Sequence, residues 1–310
     1  MARPIILGIV GDSATGKTTL SRGLVRMLGD NNVTHVAADD YHRYDRRRRA
    51  EHGITPLHPD CNYIDIMERH FAELRAGHAI LKPVYGHKDG TFGPPVYTKP
   101  NQFTLIEGLL GYHTPALRDC YDVRVFLAPP EELRRQWKVQ RDCSRRGYTT
   151  DEVLEELDRR EPDSELYIRP QQRWADIVVS FMPGRDQEHL DAEIVLRKDL
   201  EHPDLSDFAA KDGLRLEEND QEHKLFVPGG IDPASGSDIE EAVWARMHFA
   251  QHLRSERLGE FTVGTELHRS ESLAVVQVIV LYHLVTARAA VALGGDGTRA
   301  ERAAASPATS

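Results

Sequence analysis

The stretch "GDSATGKTTL", Gly11–Leu20, decides the fold. It follows the short apolar, β-branched run Ile5–Val10, which predicts a buried strand. It leads into a segment whose apolar residues recur at helical spacing, at positions 20, 24, 25 and 28. Strand, glycine-containing loop and helix therefore occur in the order that a phosphate-binding loop requires.

This stretch matches the pattern G-x-x-x-x-G-K-[ST] in full. The glycines let successive backbone N–H groups point inward, and the helix N-terminus adds positive potential. Lys17 is expected to neutralise the β- and γ-phosphates, and the Thr18 hydroxyl to ligate Mg²⁺. We therefore expect ATP and Mg²⁺ as cofactors, with the nucleotide contacted by Gly11, Asp12, Ser13, Ala14, Thr15, Gly16, Lys17, Thr18 and Thr19.

The first part of the chain alternates apolar, strand-like runs with helical patterns, which predicts an α/β fold with a mostly parallel sheet flanked by helices. A P-loop kinase core is expected over residues 1–186, followed by a smaller α+β extension over 187–293 and a disordered tail over 294–310. The predicted strands of the core are Ile5–Val10, Val33–Ala38, Phe103–Ile106, Val123–Leu127 and Ile177–Phe181.

Composition limits the choice of partner and compartment. The chain has 310 residues and a formal net charge of -10, which argues against general binding to nucleic acid or to an anionic membrane. Its three cysteines are far apart and form no CxxC pair, which suits a reducing cytoplasm. The apolar segment Leu273–Leu293 carries polar residues, so a buried helix or a homo-oligomer interface is favoured over a membrane span.

Three further segments supply candidate catalytic groups. Glu107 ends an apolar strand, where an acid can reach the metal. Asp39 and Asp40 end another, and one of them can take a proton from the acceptor hydroxyl while His42 and Arg46 hold an acceptor anion. The alternatives are a helix cap for the aspartates, a solvated basic face for the arginines and a solvated loop carboxylate for Glu107.

The third segment, Trp137–Val153, places several cations on adjoining faces of a helix that ends near Gly147. In a phosphoryl transferase such a segment can act as a lid that brings arginine to the transferring phosphoryl group and excludes water. An exposed helix whose cations pair with nearby acids is the alternative. The cations are Lys138, Arg141, Arg145 and Arg146.

These features together resemble the phosphoribulokinase family. The resemblance rests on the phosphate loop and on the segments "DDYHRYDR", "KPVYGHKDG", "LIEGLLGYH" and "WKVQRDCSRRGYT…RREPDSELYIRPQQRWADIVV". It covers residues 4–182 well and the rest only loosely. It implies phosphorylation of the O1 hydroxyl of D-ribulose 5-phosphate by MgATP, a step of the Calvin cycle of carbon fixation.

The resemblance also implies a role for each matching residue. Asp39 is the general base and Glu107 the acidic metal ligand, together with Thr18. Asp142 is a second essential carboxylate, and Lys17 and Arg141 are catalytic cations. Substrate contacts are implied for His42, Arg46, Tyr85, His87, Lys138 and Arg146.

One departure from the family affects regulation. The plant and algal branch is switched off by a disulfide, and its two cysteine positions hold Thr15 and Ala37 here, so no thiol switch of that type is expected. Two alternatives to the main hypothesis remain, a uridine or nucleoside kinase of the same fold and a nucleotide-binding regulatory protein without catalysis.

Overall fold

A computed structural model describes residues 2–198, 200–206, 213–254, 257–263 and 265–295, without the side chains at positions 145, 146, 248 and 251. Its strands are β1 (Ile5–Gly11), β2 (Val33–Ala37), β3 (Ile80–Gly86), β4 (Thr91–Thr98), β5 (Phe103–Gly108), β6 (Val123–Leu127), β7 (Ile177–Pro183), β8 (Leu190–Arg197), β9 (Arg215–Glu218), β10 (Glu222–Val227), β11 (Glu260–Val263) and β12 (Glu266–Arg269). Its α-helices are α1 (Lys17–Leu28), α2 (Arg46–His52), α3 (Ile64–Ala76), α4 (Pro115–Asp119), α5 (Glu131–Arg146), α6 (Thr150–Asp163), α7 (Pro233–Ala245) and α8 (Glu271–Ala292).

The central sheet has the strand order β2-β5-β1-β6-β7-β8-β10-β9. The first five strands are parallel, and they are the five strands predicted from the sequence. Every residue of β1 is buried, because helices cover both faces of this part of the sheet. The predicted α/β fold is therefore confirmed.

The extension continues the same sheet. Strand β8 pairs antiparallel with β7, β10 pairs antiparallel with β8, and β9 pairs antiparallel with β10. Residues from β8, β10, α7 and α8 share one apolar core with β1 and α1. The segment after residue 187 thus changes the strand direction from parallel to antiparallel and adds to the existing core. Residues 296–310, most of the predicted tail, lie outside the described residues.

Helix α8 lies inside this core. Fifteen of its 22 residues are buried, which agrees with the core-helix interpretation of the apolar segment. It is the one described helix long and apolar enough to cross a membrane, and 72% of its most apolar window is buried within the fold. Close packing with α1 depends on Gly23, since a Cβ there would lie 2.1 Å from Nε2 of Gln277.

The hairpin of β3 and β4 stands apart from the central sheet and was not predicted from the sequence. Seven of the eight residues of β4 are exposed, so no alternation of apolar and polar residues marks the strand. The hairpin matters for the site, because it carries Tyr85 and leads to His87.

Candidate active site

The phosphate loop joins the end of β1 to the start of α1. Gly16 has φ +94, a left-handed conformation that a residue without Cβ adopts readily. Gly11 passes so close to β6 that a Cβ would lie 2.6 Å from the carbonyl oxygen of Leu127. Both glycines are thus required by local geometry. The loop places Lys17 at the first position of α1, beside the carboxyl ends of the parallel strands.

Lys17 is the centre of the site. Its Nζ donates to the carbonyl oxygens of Gly11 and Asp12, at 2.9 and 2.5 Å. Burial lowers the pKa of Lys17, the negative charges of Asp39, Glu107 and Asp12 oppose this effect, and the charge of Arg141 adds to it. Four candidate residues from four separate parts of the chain therefore lie within electrostatic range of one ammonium group.

Glu107 lies at the carboxyl end of β5 next to Thr18. Thr18 Oγ1 donates to Glu107 Oε1 at 3.2 Å, and Ser21 Oγ donates to Oε2 at 2.8 Å. Burial alone would raise the pKa of Glu107, but the hydrogen bond and charge of His35, with Ser21 and Lys17, lower the pKa to about 2. A hydroxyl and an ionised carboxylate side by side are the oxygen donors that Mg²⁺ prefers, so these residues fit the expected metal.

The two aspartates after β2 have different environments. Asp40 Oδ1 accepts from the backbone N–H of Tyr85 at 2.8 Å, and its other oxygen forms an ion pair with Lys82, so Asp40 anchors the hairpin. The Asp39 side chain is 31% exposed, and its Oδ2 lies 3.6 Å from Nε2 of His87. Of the two carboxylates, Asp39 is thus the one with an oxygen available to a small molecule.

The acceptor-side residues form a layer of rings and cations next to Asp39. His42 is buried, its Nδ1 is 2.8 Å from Oδ1 of Asn62, and its ring packs edge-to-face on Tyr85 at 4.9 Å. Burial lowers the pKa of His42, which the charge of Asp39 opposes. Arg46 Nη2 donates to the carbonyl oxygen of His87 at 2.5 Å, so α2 contacts the tip of the hairpin. All four predicted acceptor residues of this region therefore lie together.

Helix α5 brings its cations to the phosphate loop. Arg141 Nη2 donates to Ser13 Oγ at 3.4 Å, and its Nε donates to Asp142 at 2.8 Å. Lys138 and Asp142 are almost fully buried and form an ion pair at 2.5 Å. Burial alone would raise the pKa of Asp142, but its hydrogen bonds with Arg141 and Lys138 lower the pKa to about 2. The Arg146 side chain lies outside the described residues.

The family model described as "Phosphoribulokinase / Uridine kinase family" matches residues 6–188, which include every candidate residue above. The chain belongs to this family. The phosphoribulokinase of Synechocystis sp. is 36% identical over 193 residues, covering 62% of this chain and 58% of that protein. The uridine kinase of Ligilactobacillus salivarius is 27% identical over 202 residues, covering 64% of this chain and 94% of that protein.

A solved structure supports the fold of this phosphoribulokinase/uridine kinase family member. The phosphoribulokinase from Rhodobacter spheroides has a TM-score of 0.60 at 20% identity, and the match covers 81% of this chain and 99% of that one. A match over 81% of the chain is longer than residues 6–188, so it includes part of the extension. The chain spans about 58% of the length of the Synechocystis relative.

Sequence reasoning did not single out several residues of this family member's candidate site. Arg49 is buried, donates to the Tyr85 hydroxyl oxygen at 2.5 Å and lies 5.0 Å from the centre of its ring. Arg49 stands about one helical turn after Arg46, so the spacing places these two side chains on one face of α2 and the exposed Arg47 on another. His35, Ser21 and Asn62 had no comparable signal, because their partners are distant in the sequence.

Proposed function

We propose that the chain transfers the γ-phosphoryl group of ATP to the O1 hydroxyl of D-ribulose 5-phosphate, which gives ribulose 1,5-bisphosphate and ADP. The observation that carries the proposal is the convergence of Asp39, Glu107, Asp12 and Arg141 around the phosphate-loop Lys17. The family supports it, as does the name of the Synechocystis relative, whose match covers most of the chain. Transfer to a hydroxyl requires a base, fixed cations and a metal-binding carboxylate, and each has a candidate here.

The proposed reaction begins with both substrates held in place. The inward-facing N–H groups of the loop and the Lys17 ammonium bind the triphosphate. Thr18 and Glu107 would hold Mg²⁺, which would supply neutralisation of the phosphate charge. Arg46 and His87, with the buried ring layer of His42 and Tyr85, form the surface on which the sugar phosphate would lie.

Asp39 is the proposed base. Its carboxylate accepts the proton of the acceptor hydroxyl as that oxygen forms a bond to the γ-phosphorus, while the bond from the γ-phosphorus to the bridging oxygen breaks and ADP leaves. Arg141 would neutralise charge on the transferring group, since it already contacts the loop at Ser13. Asp142 and Lys138 are buried, and Asp142 pairs with both Lys138 and Arg141. The two buried residues would therefore hold the Arg141 guanidinium in position.

A uridine kinase is the second candidate. The observation that favours it is the coverage of the Ligilactobacillus salivarius uridine kinase, 94% of whose length matches this chain. A nucleoside carries no phosphate, so a nucleoside kinase has less need of Arg46 and the other cations beside the acceptor. These cations favour the sugar phosphate.

An acceptor panel tests the proposal. ADP release with MgATP would be measured with ribulose 5-phosphate, ribose 5-phosphate, uridine and no acceptor, and the product identified by mass spectrometry. We expect turnover with ribulose 5-phosphate alone and ribulose 1,5-bisphosphate as the product. Turnover with uridine would replace the proposal by the second candidate, and no turnover with any acceptor would favour a nucleotide-binding regulatory protein.

We also propose a cytoplasmic homo-oligomer. Free Cys61, Cys120 and Cys143 suit a reducing compartment. Exposed apolar side chains of the extension, Phe249, Val263 and Leu267, support contact with a second copy. Light scattering coupled to size exclusion would test the assembly, and a mass equal to one chain of 35.0 kDa would contradict it.

A further inference from the structure

Asp12 places a carboxylate within the phosphate loop. A carboxylate there repels a bound triphosphate through Coulomb interaction, which is strong where water is excluded. The side chain is only 9% exposed; its charge reaches Lys17, and its contacts extend to α5 and to the segment after α6. Its Oδ1 accepts from the N–H of Ser13 at 2.7 Å, and Ser164 Oγ donates to Oδ2.

Arg134 of α5 forms an ion pair with Asp12, in addition to the charge interactions of Asp12 with Lys17 and Arg160. Arg134 Nη1 lies 3.5 Å from Asp12 Oδ1 and donates to the carbonyl oxygen of Ser13 at 3.2 Å. The guanidinium is held from the other side by two hydrogen bonds to Glu131, at 2.6 and 2.7 Å. Arg134 is therefore fixed within α5, and its contact with Asp12 fixes α5 against the loop.

The same face of α5 carries the proposed catalytic cation. Arg141 lies seven residues, or about 10 Å, along the helix from Arg134, and it contacts Ser13 Oγ at 3.4 Å. Two contacts at that separation define the orientation of the helix relative to the loop. Ser164 adds a third contact, from the segment that follows α6, so Asp12 joins the loop to both members of the helix pair.

We infer that Asp12 is a positioning residue that sets helices α5 and α6 against the phosphate loop, so that Arg141 reaches the transferring phosphoryl group. This inference rests on the proposed function. It explains a carboxylate that works against nucleotide affinity, because the charge of Asp12 is used to hold Arg134. Loss of that charge should therefore slow transfer without weakening nucleotide binding.

The test uses Asp12→Asn, Arg134→Gln and their double variant. Arg135→Gln is the matched control, since Arg135 lies on the same helix and its ion pairs join it to Asp158 of α6 at 2.7 Å and to Glu131 at 3.9 Å rather than to the loop. The measurements are kcat, KM for both substrates, the dissociation constant of an ATP analogue, and the rate of tryptic cleavage between α5 and α6.

We expect Asp12→Asn to lower kcat about 10- to 100-fold, with nucleotide affinity unchanged or tighter, and to speed tryptic cleavage. The double variant should be no slower than the slower single variant, because both remove one interaction. Arg135→Gln should stay within about twofold of the unmodified chain. These results would support the inference. The rate of tryptic cleavage can be compared among the variants even if none of them shows turnover.

Three results would overturn the inference. The first is an Asp12→Asn variant whose kcat and rate of tryptic cleavage match those of Arg135→Gln. The second is a loss confined to nucleotide affinity. The third is a double variant whose loss of kcat equals the product of the two single losses. Failure of the proposed function is distinct from these, because it appears as an unmodified chain without turnover on any acceptor.

Discussion

The pair formed by half-buried His202 and buried His283 of α8 predicts a pH dependence of stability. His202 Nε2 donates to the carbonyl oxygen of Arg197 at 2.7 Å, so Nδ1 is left to accept from Nε2 of His283 at 2.9 Å. A second proton on His202 would be on Nδ1 and would face the Nε2–H group of His283. Burial lowers the pKa of His202 to about 4, an effect that the hydrogen bond to Arg197 and the charge of Asp176 oppose and His223 reinforces.

The sign and size follow from linkage. The ordinary pKa of histidine is 6.5 and that of His202 in the fold is about 4, so between these values the unfolded chain binds more protons. The stability from neutral His202 is thus complete above pH 6.5 and is lost as the pH falls toward 4. From pH 7 to pH 5 the loss is about 2 kcal/mol of unfolding free energy.

Urea unfolding at pH 7 and pH 5 measures this difference. We expect the unmodified chain to lose about 2 kcal/mol more than His202→Gln, whose amide can keep both hydrogen bonds without titrating in this range. His78→Gln is the control, because His78 is exposed and bonded to Glu73. Equal losses in the unmodified chain and in His202→Gln would refute the reasoning.

Three further outcomes follow from the structure. Gly23→Ala should lower the unfolding free energy by about 1–3 kcal/mol by displacing Gln277, whereas Gly93→Ala, whose Cβ would meet its nearest neighbour at 3.5 Å, should be near neutral in the same urea titration. Glu107→Gln should raise the Mg²⁺ concentration for half-maximal turnover about tenfold or more, and an unchanged Mg²⁺ titration would remove Glu107 as a ligand. Oxidising and reducing conditions should give turnover within about twofold, because two of the three cysteines are buried with pKa values raised to about 11; a several-fold reversible change would contradict this.

The parallel core could be predicted from sequence because its strands are mostly buried. Runs such as Ile5–Val10 and Val123–Leu127 are almost continuously apolar, and turn signals bound them. The hairpin of β3 and β4 had no such signal, since β4 is mostly exposed and the two strands form a sheet of their own. The extension was correctly expected to mix strands and helices, but its joining of the central sheet depends on pairing between distant segments.

The candidate site could be predicted where local motifs carry the chemistry, as at Lys17, Glu107 and Asp39. The different environments of Asp39 and Asp40 could not be predicted from the sequence, because the partners of Asp40 lie 42 and 45 residues further along the chain. The burial of Lys138 and Asp142 could not be predicted from the sequence either, since a charged helix is usually exposed. Arg134 was missed for the same reason, and its contact with Asp12 spans 122 residues.

The most direct test of the central claim compares Asp39→Asn with Asp40→Asn in the MgATP and ribulose 5-phosphate assay. We expect Asp39→Asn to lower kcat by about 10²- to 10⁴-fold while an ATP analogue binds as before. Asp40→Asn should mainly raise KM for the acceptor, since it loosens the hairpin at Lys82. An Asp39→Asn variant with normal kcat, or a greater loss of kcat in Asp40→Asn, would contradict the account.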